Sequence, residues 1–323
     1  MDVNTTEFSA PGKIILFGEH AVVYNHPAIA AAIDLRAKSS VSNSLKQVST
    51  ISVPDIFPKK QFMLNQTPLP QNLTALKFII DSFLENSEQS KNFDIEITSQ
   101  IPPSVGLGSS AAVSVALVAS LSSFLGNPLN LEDIFKLAHE SEKIIHSFPS
   151  GIDTTISTYG GGIFYEKGVT KKLSFEFSSS YVVVINSLVQ RNTKDIVEEV
   201  KRKYEKYPDS IKEIFNNIHN IVIEAEKALI NEDIIEIGKL MSSNHNLLKD
   251  LGVSHDYLDM IVNVLDEKEA LGSKLTGAGG GGCVISLFDD LTKAKEVIEI
   301  MKEKNFQAFI SNFTVEGVKN ESD

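Results

Sequence analysis

The sequence predicts a two-domain α+β protein. Three observations carry that expectation. The first half alternates strand-like and helix-like text, a serine cluster at Ser178–Ser180 runs straight into a strong apolar strand, and the second half holds long amphipathic helices with few strands. At 323 residues the chain suits one large domain or two of ordinary size. The serine cluster sets the boundary, giving domains of residues 1–179 and 180–323.

In the first half the apolar run Ile14–Phe17, bracketed by Gly12 and Gly18, reads as a buried strand. Further strands are expected at Ala28–Ala37, Val48–Val53, Phe93–Ser99, Gly162–Glu166 and Lys172–Phe177. Helices are expected at Leu73–Glu85, Ser109–Phe124 and Leu131–His146, and residues 45–71 have mixed β character ending in a proline-containing loop. The second half begins with the strand Tyr181–Asn186. It continues with helices Lys194–Tyr204, Ser210–Ile230, Ile234–Leu251 and His255–Leu271, and then strands Cys283–Phe288 and Ala308–Thr314 flank a last helix, Leu291–Lys304. The order βααααβαβ suggests helices laid on one sheet face. The polar tail Gly317–Asp323 is expected to fray.

A hydrophobic content of 42% is enough for a core, and a net charge of −12 argues against a basic nucleic-acid footprint. Local anion binding by backbone amides and one placed lysine stays open. The single cysteine, Cys283, rules out an internal disulfide framework and fits a reducing compartment; it reads as a small apolar filler. The opening residues lack a basic segment followed by an apolar core, and the most apolar helix-like stretch, Ala111–Leu125, is too short and serine-rich to span a bilayer. A cytoplasmic protein without membrane attachment is expected.

Five segments carry chemistry. In APGKIILFGEHAVVY, residues 10–24, Lys13, Glu19 and His20 sit at the ends of a buried strand, where pockets form and unpartnered charge is costly. In PPSVGLGSSAA, residues 102–112, Gly106 and Gly108 let the backbone approach a ligand, and Ser109 and Ser110 begin or cap a helix whose free amides favour anions. Three readings compete for it. One is a capped tight turn. Another is a dinucleotide fingerprint, G-x-G-x-x-A, which lacks the expected strand context because Pro102 and Pro103 intervene and the next element looks helical. The third is a nucleotide triphosphate loop of a kind other than the P-loop. In HESEKIIH, residues 139–146, the spacing of a zinc helix fails, but Glu142 could join Ser110 as a hard oxygen ligand for Mg²⁺ beside phosphate oxygens. In FPSGIDTTISTYGGG, residues 148–162, Asp153 stands just past a turn. It either caps a helix or faces an acceptor hydroxyl with Lys13 as its partner. Finally, the four glycines Gly279–Gly282 in SKLTGAGGGGCVISLF precede apolar strand text, which argues for close approach to a backbone or ligand rather than a linker.

Taken together and in this order, APGKIILFGEHAVVY, PPSVGLGSSAA and KLTGAGGGGC resemble the GHMP kinase superfamily, named for galactokinase, homoserine kinase, mevalonate kinase and phosphomevalonate kinase. The resemblance covers nearly the whole chain. GEHAVVY, SEKIIHSFPSGIDTTISTYGG, LVQRNT and LGVSH look most like its mevalonate-phosphorylating branch, whereas galactokinases typically carry G-E-H-T-D-Y at the first motif.

This resemblance implies an S5-domain-2-like N-terminal domain, a ferredoxin-like C-terminal domain and an active site between them. It implies transfer of the γ-phosphoryl of ATP to the C5 hydroxyl of mevalonate, with Mg²⁺ as cofactor. Pro103, Ser104, Val105, Gly106, Leu107, Gly108, Ser109, Ser110 and Ala111 would surround the ATP phosphates. Ser110 and Glu142 would hold Mg²⁺. Asp153 would take or orient the hydroxyl proton, with Lys13 paired to it, and His20 would contact mevalonate. Glu19 would support substrate or metal, Gly277, Ala278 and Gly279 would close the pocket near the reacting phosphate, and Ser150, Arg191 and Thr193 match positions near the site. Relatives that dimerise imply a homodimer.

Overall fold

The computed structural model describes residues 5–66, 68–85, 92–103, 105–145, 149–175, 180–189 and 193–322. Its first half is built on two long strands, β1 (Thr5–Phe17) and β2 (Ala28–Asn43), which pair antiparallel from Thr5 opposite Ser42 to Phe17 opposite Ile29. The register shifts at Pro11/Gly12, where a proline has no N–H to give the ladder. The sheet continues through β5 (Phe93–Ser99), β3 (Thr50–Ser52) and β4 (Gln61–Met63), and the hairpin β6 (Gly162–Glu166) and β7 (Val169–Leu173) pairs with the first part of β2.

Helices α1 (Thr74–Leu84), α2 (Ser109–Phe124), α3 (Leu131–Ile145) and α4 (Ile152–Tyr159) accompany this sheet. α2 packs against β1 and β2 as well as against α1, α3 and α4, and is buried around nearly its whole circumference. Its small Ala and Ser side chains permit that approach. The buried Ser120 hydroxyl is satisfied by Ser39 of β2 at 2.8 Å and that of Ser122 by the Ala119 carbonyl at 2.9 Å, whereas the buried Ser114 hydroxyl has no hydrogen-bond partner among the described residues.

The second half is a four-stranded antiparallel sheet in the order β11 (Gln307–Ser311), β8 (Tyr181–Asn186), β10 (Cys283–Phe288) and β9 (Gly272–Thr276). Helices α7 (Ile234–Asp250), α8 (Asp256–Glu267) and α9 (Leu291–Glu303) pack against it, while α6 (Pro208–Ile230) packs on α7 and reaches β1 and β2, and α5 (Thr193–Lys206) packs on α6. β8 and β10 are almost wholly buried, which explains their unbroken apolar text. α7 meets β9 backbone to backbone: a Cβ on Gly238 would fall 2.3 Å from the Leu271 carbonyl. Cys283 is buried on β10, and desolvation pushes its thiol up to about 12, so it is the inert filler expected.

The α+β expectation holds, with three additions and one reversal. β1 and β2 are longer than the apolar text, and β4, β9 and β12 (Lys319–Asn320) were not anticipated. The expected strand end at residues 176–177 and the boundary residues Ser178 and Ser179 lie outside the described residues. The reversal is the tail. Instead of fraying, it leaves the second sheet and returns to the first. The Thr314 N–H donates to the Ala32 carbonyl at 3.1 Å, and β12 pairs with β1 at Phe8 and Ser9. Arg36 fixes it there by donating to the Gly317 carbonyl at 2.5 Å, while its Nε donates to Ser9 Oγ at 2.6 Å.

Candidate active site

β5 ends at Ser99 and the chain runs through Ile101, Pro102 and Pro103 toward α2. Ser104 lies outside the described residues. Gly106 and Gly108 take φ values of 84° and 74°, in the left-handed region that favours glycine. At Gly108 space adds to the requirement, since a Cβ would fall 2.9 Å from Lys13 Cγ. The Lys13 N–H donates to the Leu107 carbonyl at 2.9 Å, and the Leu107 side chain is buried, so the loop is anchored to β1. Among the described residues nothing comes within 4 Å of a Cβ placed on Gly106, so the loop between Val105 and Gly108 faces open space there. Ser109, Ser110 and Ala111 form the first turn of α2, whose N–H groups have no partner within the helix and carry its positive end. This is an anion cradle.

Two pairs stand beside it. Ser110 Oγ donates to Glu142 Oε1 at 2.5 Å across the α2–α3 contact, and Glu142 is buried. A hydroxyl and a carboxylate oxygen at the mouth of an anion cradle fit Mg²⁺, which takes one or two protein oxygens and completes its octahedron with phosphate oxygens and water. Among the described residues no group of three or more His, Cys, Asp or Glu could hold a metal alone. The second pair is Lys13 Nζ and Asp153 Oδ1 at 3.2 Å, with side-chain exposures of 7% and 41%. Gly151, at φ 81°, turns the chain into α4 and puts Asp153 in its first turn. The pair therefore spans the boundary between the interior and solvent.

His20 sits in an unusual turn just after β1. Its φ of 60° and ψ of −47°, with the Ala21 N–H donating to the Glu19 carbonyl at 2.7 Å, form a γ-turn of the strained, positive-φ kind. Such a backbone costs about 1–3 kcal/mol and persists only where its surroundings dictate it. One such constraint is direct: His20 Nε2 lies 2.8 Å from the Ala278 carbonyl, so Nε2 carries the proton and donates it. Desolvation holds the imidazole below the ordinary histidine value, with the Ala278 bond opposing and Lys203 adding to the effect. In the neutral ring Nδ1 keeps a lone pair, so any further hydrogen bond it makes is as an acceptor.

Glu19 has its partners inside the protein. It is 3% exposed, ion-paired to the fully buried Lys274 of β9, and accepts from Asn244 Nδ2 of α7 at 3.1 Å. Burial pushes the Lys274 ammonium down, and the Glu19 carboxylate beside it opposes that. Next to Asn244, His245 Nδ1 accepts from the Leu275 N–H at 3.3 Å, and desolvation lowers its pKa to about 4.

The second glycine loop follows β9. Gly277, Gly279, Gly280, Gly281 and Gly282 all have positive φ. The loop is clamped between two backbones: a Cβ on Gly279 would fall 2.2 Å from the Val253 carbonyl and one on Gly281 2.2 Å from the Val189 carbonyl. The same atom on Gly282 would be 3.4 Å from the Val105 carbonyl, which brings this loop against the first one. Gly277 faces open space among the described residues. Ser150 is exposed and its Oγ accepts from the Ile152 N–H at 3.4 Å; Thr193 is exposed at the start of α5; Arg191 lies outside the described residues, as does His146. The structure thus brings together Lys13, Asp153, Ser110, Glu142 and the Gly106–Gly108 loop, with His20 bonded to Ala278 of the second loop.

Sequence reasoning missed Lys274, Asn244 and Thr276. Thr276 Oγ1 both accepts from the Ile15 N–H at 3.1 Å and donates to the Ile15 carbonyl at 2.9 Å, stitching β9 to β1. A lone lysine in a short strand ahead of a glycine run was the signal available.

Comparison with known proteins gives the class. GHMP kinase N-terminal and C-terminal domains match residues 73–161 and 225–307. The chain belongs to the GHMP kinases. A protein of Pyrococcus abyssi named mevalonate kinase is 37% identical to it over 328 residues, covering 97% of each chain. Among solved structures, the mevalonate kinase of Methanococcus jannaschii is 32% identical with a TM-score of 0.82, covering 95% of this chain and 98% of its own. That of L. major, in complex with R-mevalonate, is 27% identical with a TM-score of 0.84, covering 98% and 97%.

Proposed function

We propose that this chain transfers the γ-phosphoryl group of ATP to the C5 hydroxyl of mevalonate, giving 5-phosphomevalonate and ADP for isoprenoid precursor synthesis. The observation that carries this reading is the Lys13–Asp153 pair at 3.2 Å beside the anion cradle of α2. A phosphoryl-transfer transition state is loose, so the protein's task is alignment and charge stabilisation more than covalent chemistry. The Gly106–Ser110 backbone and the first turn of α2 bind the phosphates. Ser110 and Glu142 would hold Mg²⁺, which neutralises charge on the phosphate oxygens. Asp153 accepts the hydroxyl hydrogen bond and orients the oxygen for in-line attack, and takes its proton as the bond to phosphorus forms. Lys13 orients that carboxylate and adds positive potential where charge develops. His20 contacts mevalonate, and the Gly277–Gly279 segment closes over the reacting phosphate. Ser150 and Thr193, both exposed, are assigned to the rim of the site.

The relatives named mevalonate kinase and the L. major complex with R-mevalonate support the choice of acceptor. We read the protein as a cytoplasmic homodimer that binds neither nucleic acid nor membrane. The net charge of −12 supports the first exclusion.

The test is ADP release from MgATP with mevalonate, phosphomevalonate, homoserine and galactose in turn, followed by NMR of the product. Turnover with mevalonate alone and phosphate on C5 is expected. Phosphate on the 3-hydroxyl, or turnover only with another acceptor, overturns the acceptor assignment and leaves the ATP site standing.

A further inference from the structure

We propose that Glu19 and Lys274 are positioning residues: their buried pair holds the strained turn at His20 against the second glycine loop, and neither side chain touches substrate or metal. The proposal rests on the mevalonate reading given above and names what sets the acceptor side of that site.

Three cross-links join the same two segments. Ile15 is bonded twice to Thr276, Glu19 is paired with Lys274, and His20 donates to Ala278. Residues 15–20 of the first domain are thus fastened to residues 274–278 of the second, one contact after another. The pair is the innermost of them, with Glu19 3% and Lys274 0% exposed. Both Glu19 carboxylate oxygens are engaged, one by Lys274 and the other by Asn244. Lys274 also donates to the Leu275 carbonyl at 2.8 Å. Each charged atom of the pair thus has a partner within the protein.

What the pair does hold is the residue next in sequence. His20 has a backbone that a non-glycine residue adopts only under constraint, and Glu19 supplies the carbonyl that closes its turn. Fixing the Glu19 side chain on one side and the His20 ring on the other leaves the turn no freedom to relax. A buried ion pair adds little net stability over apolar residues of similar size, while it does specify geometry. Its value here is directional: it sets where the imidazole lies, and so holds Nε2 on the Ala278 carbonyl that fixes its proton.

Two variants separate positioning from stability. Lys274→Met leaves a buried, unpaired carboxylate and is expected to lower the melting temperature. The double variant Glu19→Gln/Lys274→Met has no orphan charge and is expected to recover most of that loss. If the pair positions His20, the double variant still shows a KM for mevalonate raised on the order of tenfold or more, the scale of a small misplacement at a site. Its KM for ATP stays within about twofold, because the cradle at α2 is held by other contacts. A double variant with wild-type KM for mevalonate, or with both KM values raised alike, overturns the proposal.

A second readout does not depend on the substrate. In ¹⁵N-histidine spectra, with His20 assigned by its loss in His20→Asn, the wild type is expected to show a single Nε2–H tautomer and the double variant a mixture. An unchanged tautomer overturns the proposal. If the wild type fails to phosphorylate mevalonate, the functional reading falls, and the tautomer measurement decides the positioning role alone.

Discussion

Lys13 and Asp153 divide their work by burial. The lysine is 7% exposed and fixed, passing over Gly108 on its way from β1, while the carboxylate is 41% exposed and free to meet an incoming hydroxyl. Asp153→Asn keeps the shape and the hydrogen-bonding reach but can no longer take a proton. Turnover is expected to fall by ~10²-fold or more, the usual scale for an acid–base group, with a much smaller change in the KM for ATP. Steady-state kinetics at saturating mevalonate checks this, and near-normal turnover would remove Asp153 from its assigned role. Lys13, Ser110, Glu142 and Asp153 could be picked out from the sequence because each sits in a local pattern that dictates its backbone: a glycine turn, a helix start, a helix face. Glu19 could be picked out but not understood, because its partners Lys274 and Asn244 stand 255 and 225 positions away. No spacing rule reaches across a domain interface. The γ-turn at His20 was equally hidden, since a histidine takes positive φ far less readily than a glycine does.

Helices α2 and α3 present Ser110 and Glu142 to each other, and on the proposed reading they act as one unit toward Mg²⁺. Ser110→Ala removes one donor and leaves Glu142 beside a methyl group. The Mg²⁺ concentration for half-maximal turnover is expected to rise on the order of tenfold or more, measured at saturating ATP; an unchanged titration would take Ser110 out of the donor set. The α7–β9 contact has a different sensitivity. His245 is held neutral there, its pKa lowered to about 4 from an ordinary 6.5, chiefly by desolvation. The unfolded chain binds this proton first as pH falls, so the stabilisation is complete above pH 6.5 and is lost on descent through the folded value. The gap between 6.5 and about 4 corresponds to on the order of 3 kcal/mol. Urea denaturation of His245→Gln across that range is expected to show a flatter pH dependence than the wild type. Elements with a clear alternation or a continuous apolar run, such as Phe93–Ser99, Ser109–Phe124 and Tyr181–Asn186, were legible to the residue. β9 was not: the helical pattern of α8 runs on through Lys268–Leu271, and the helix is stopped by Glu269 at φ 60° rather than by a glycine or proline. The strand that follows carries a buried lysine, which masks its period.

On the scale of the whole molecule, the two ends of the chain serve one structure. The tail returns from the second sheet and lies against the far end of α4, the helix whose first turn carries Asp153. The Gly161 N–H donates to the Thr314 carbonyl at 3.0 Å and the Val318 N–H to the Thr158 carbonyl at 3.1 Å. The fit leaves no room for side chains, since a Cβ on Gly317 would fall 2.2 Å from the Thr158 carbonyl. None of this was legible, because a polar run at a chain end gives no sign of its partner, and its main tether, Arg36, reads as a surface residue until its neighbours are known. Removal of residues 316–323 takes away two carbonyl acceptors of Arg36, those of Glu316 and Gly317, together with the β12 edge of the first sheet. Hydrogen bonds to a charged group contribute about 1.5–3 kcal/mol each, moderated here because the freed guanidinium regains water. The truncated protein is therefore expected to fold with a stability lowered by on the order of 3 kcal/mol, read from its denaturation midpoint. Its turnover is expected to fall more than its affinity for ATP, because α4 loses its anchor while the cradle at α2 keeps its own contacts. A truncation that lowers stability but leaves turnover intact would mean that α4 is held in place by its contacts with β1, β2, α2 and α3.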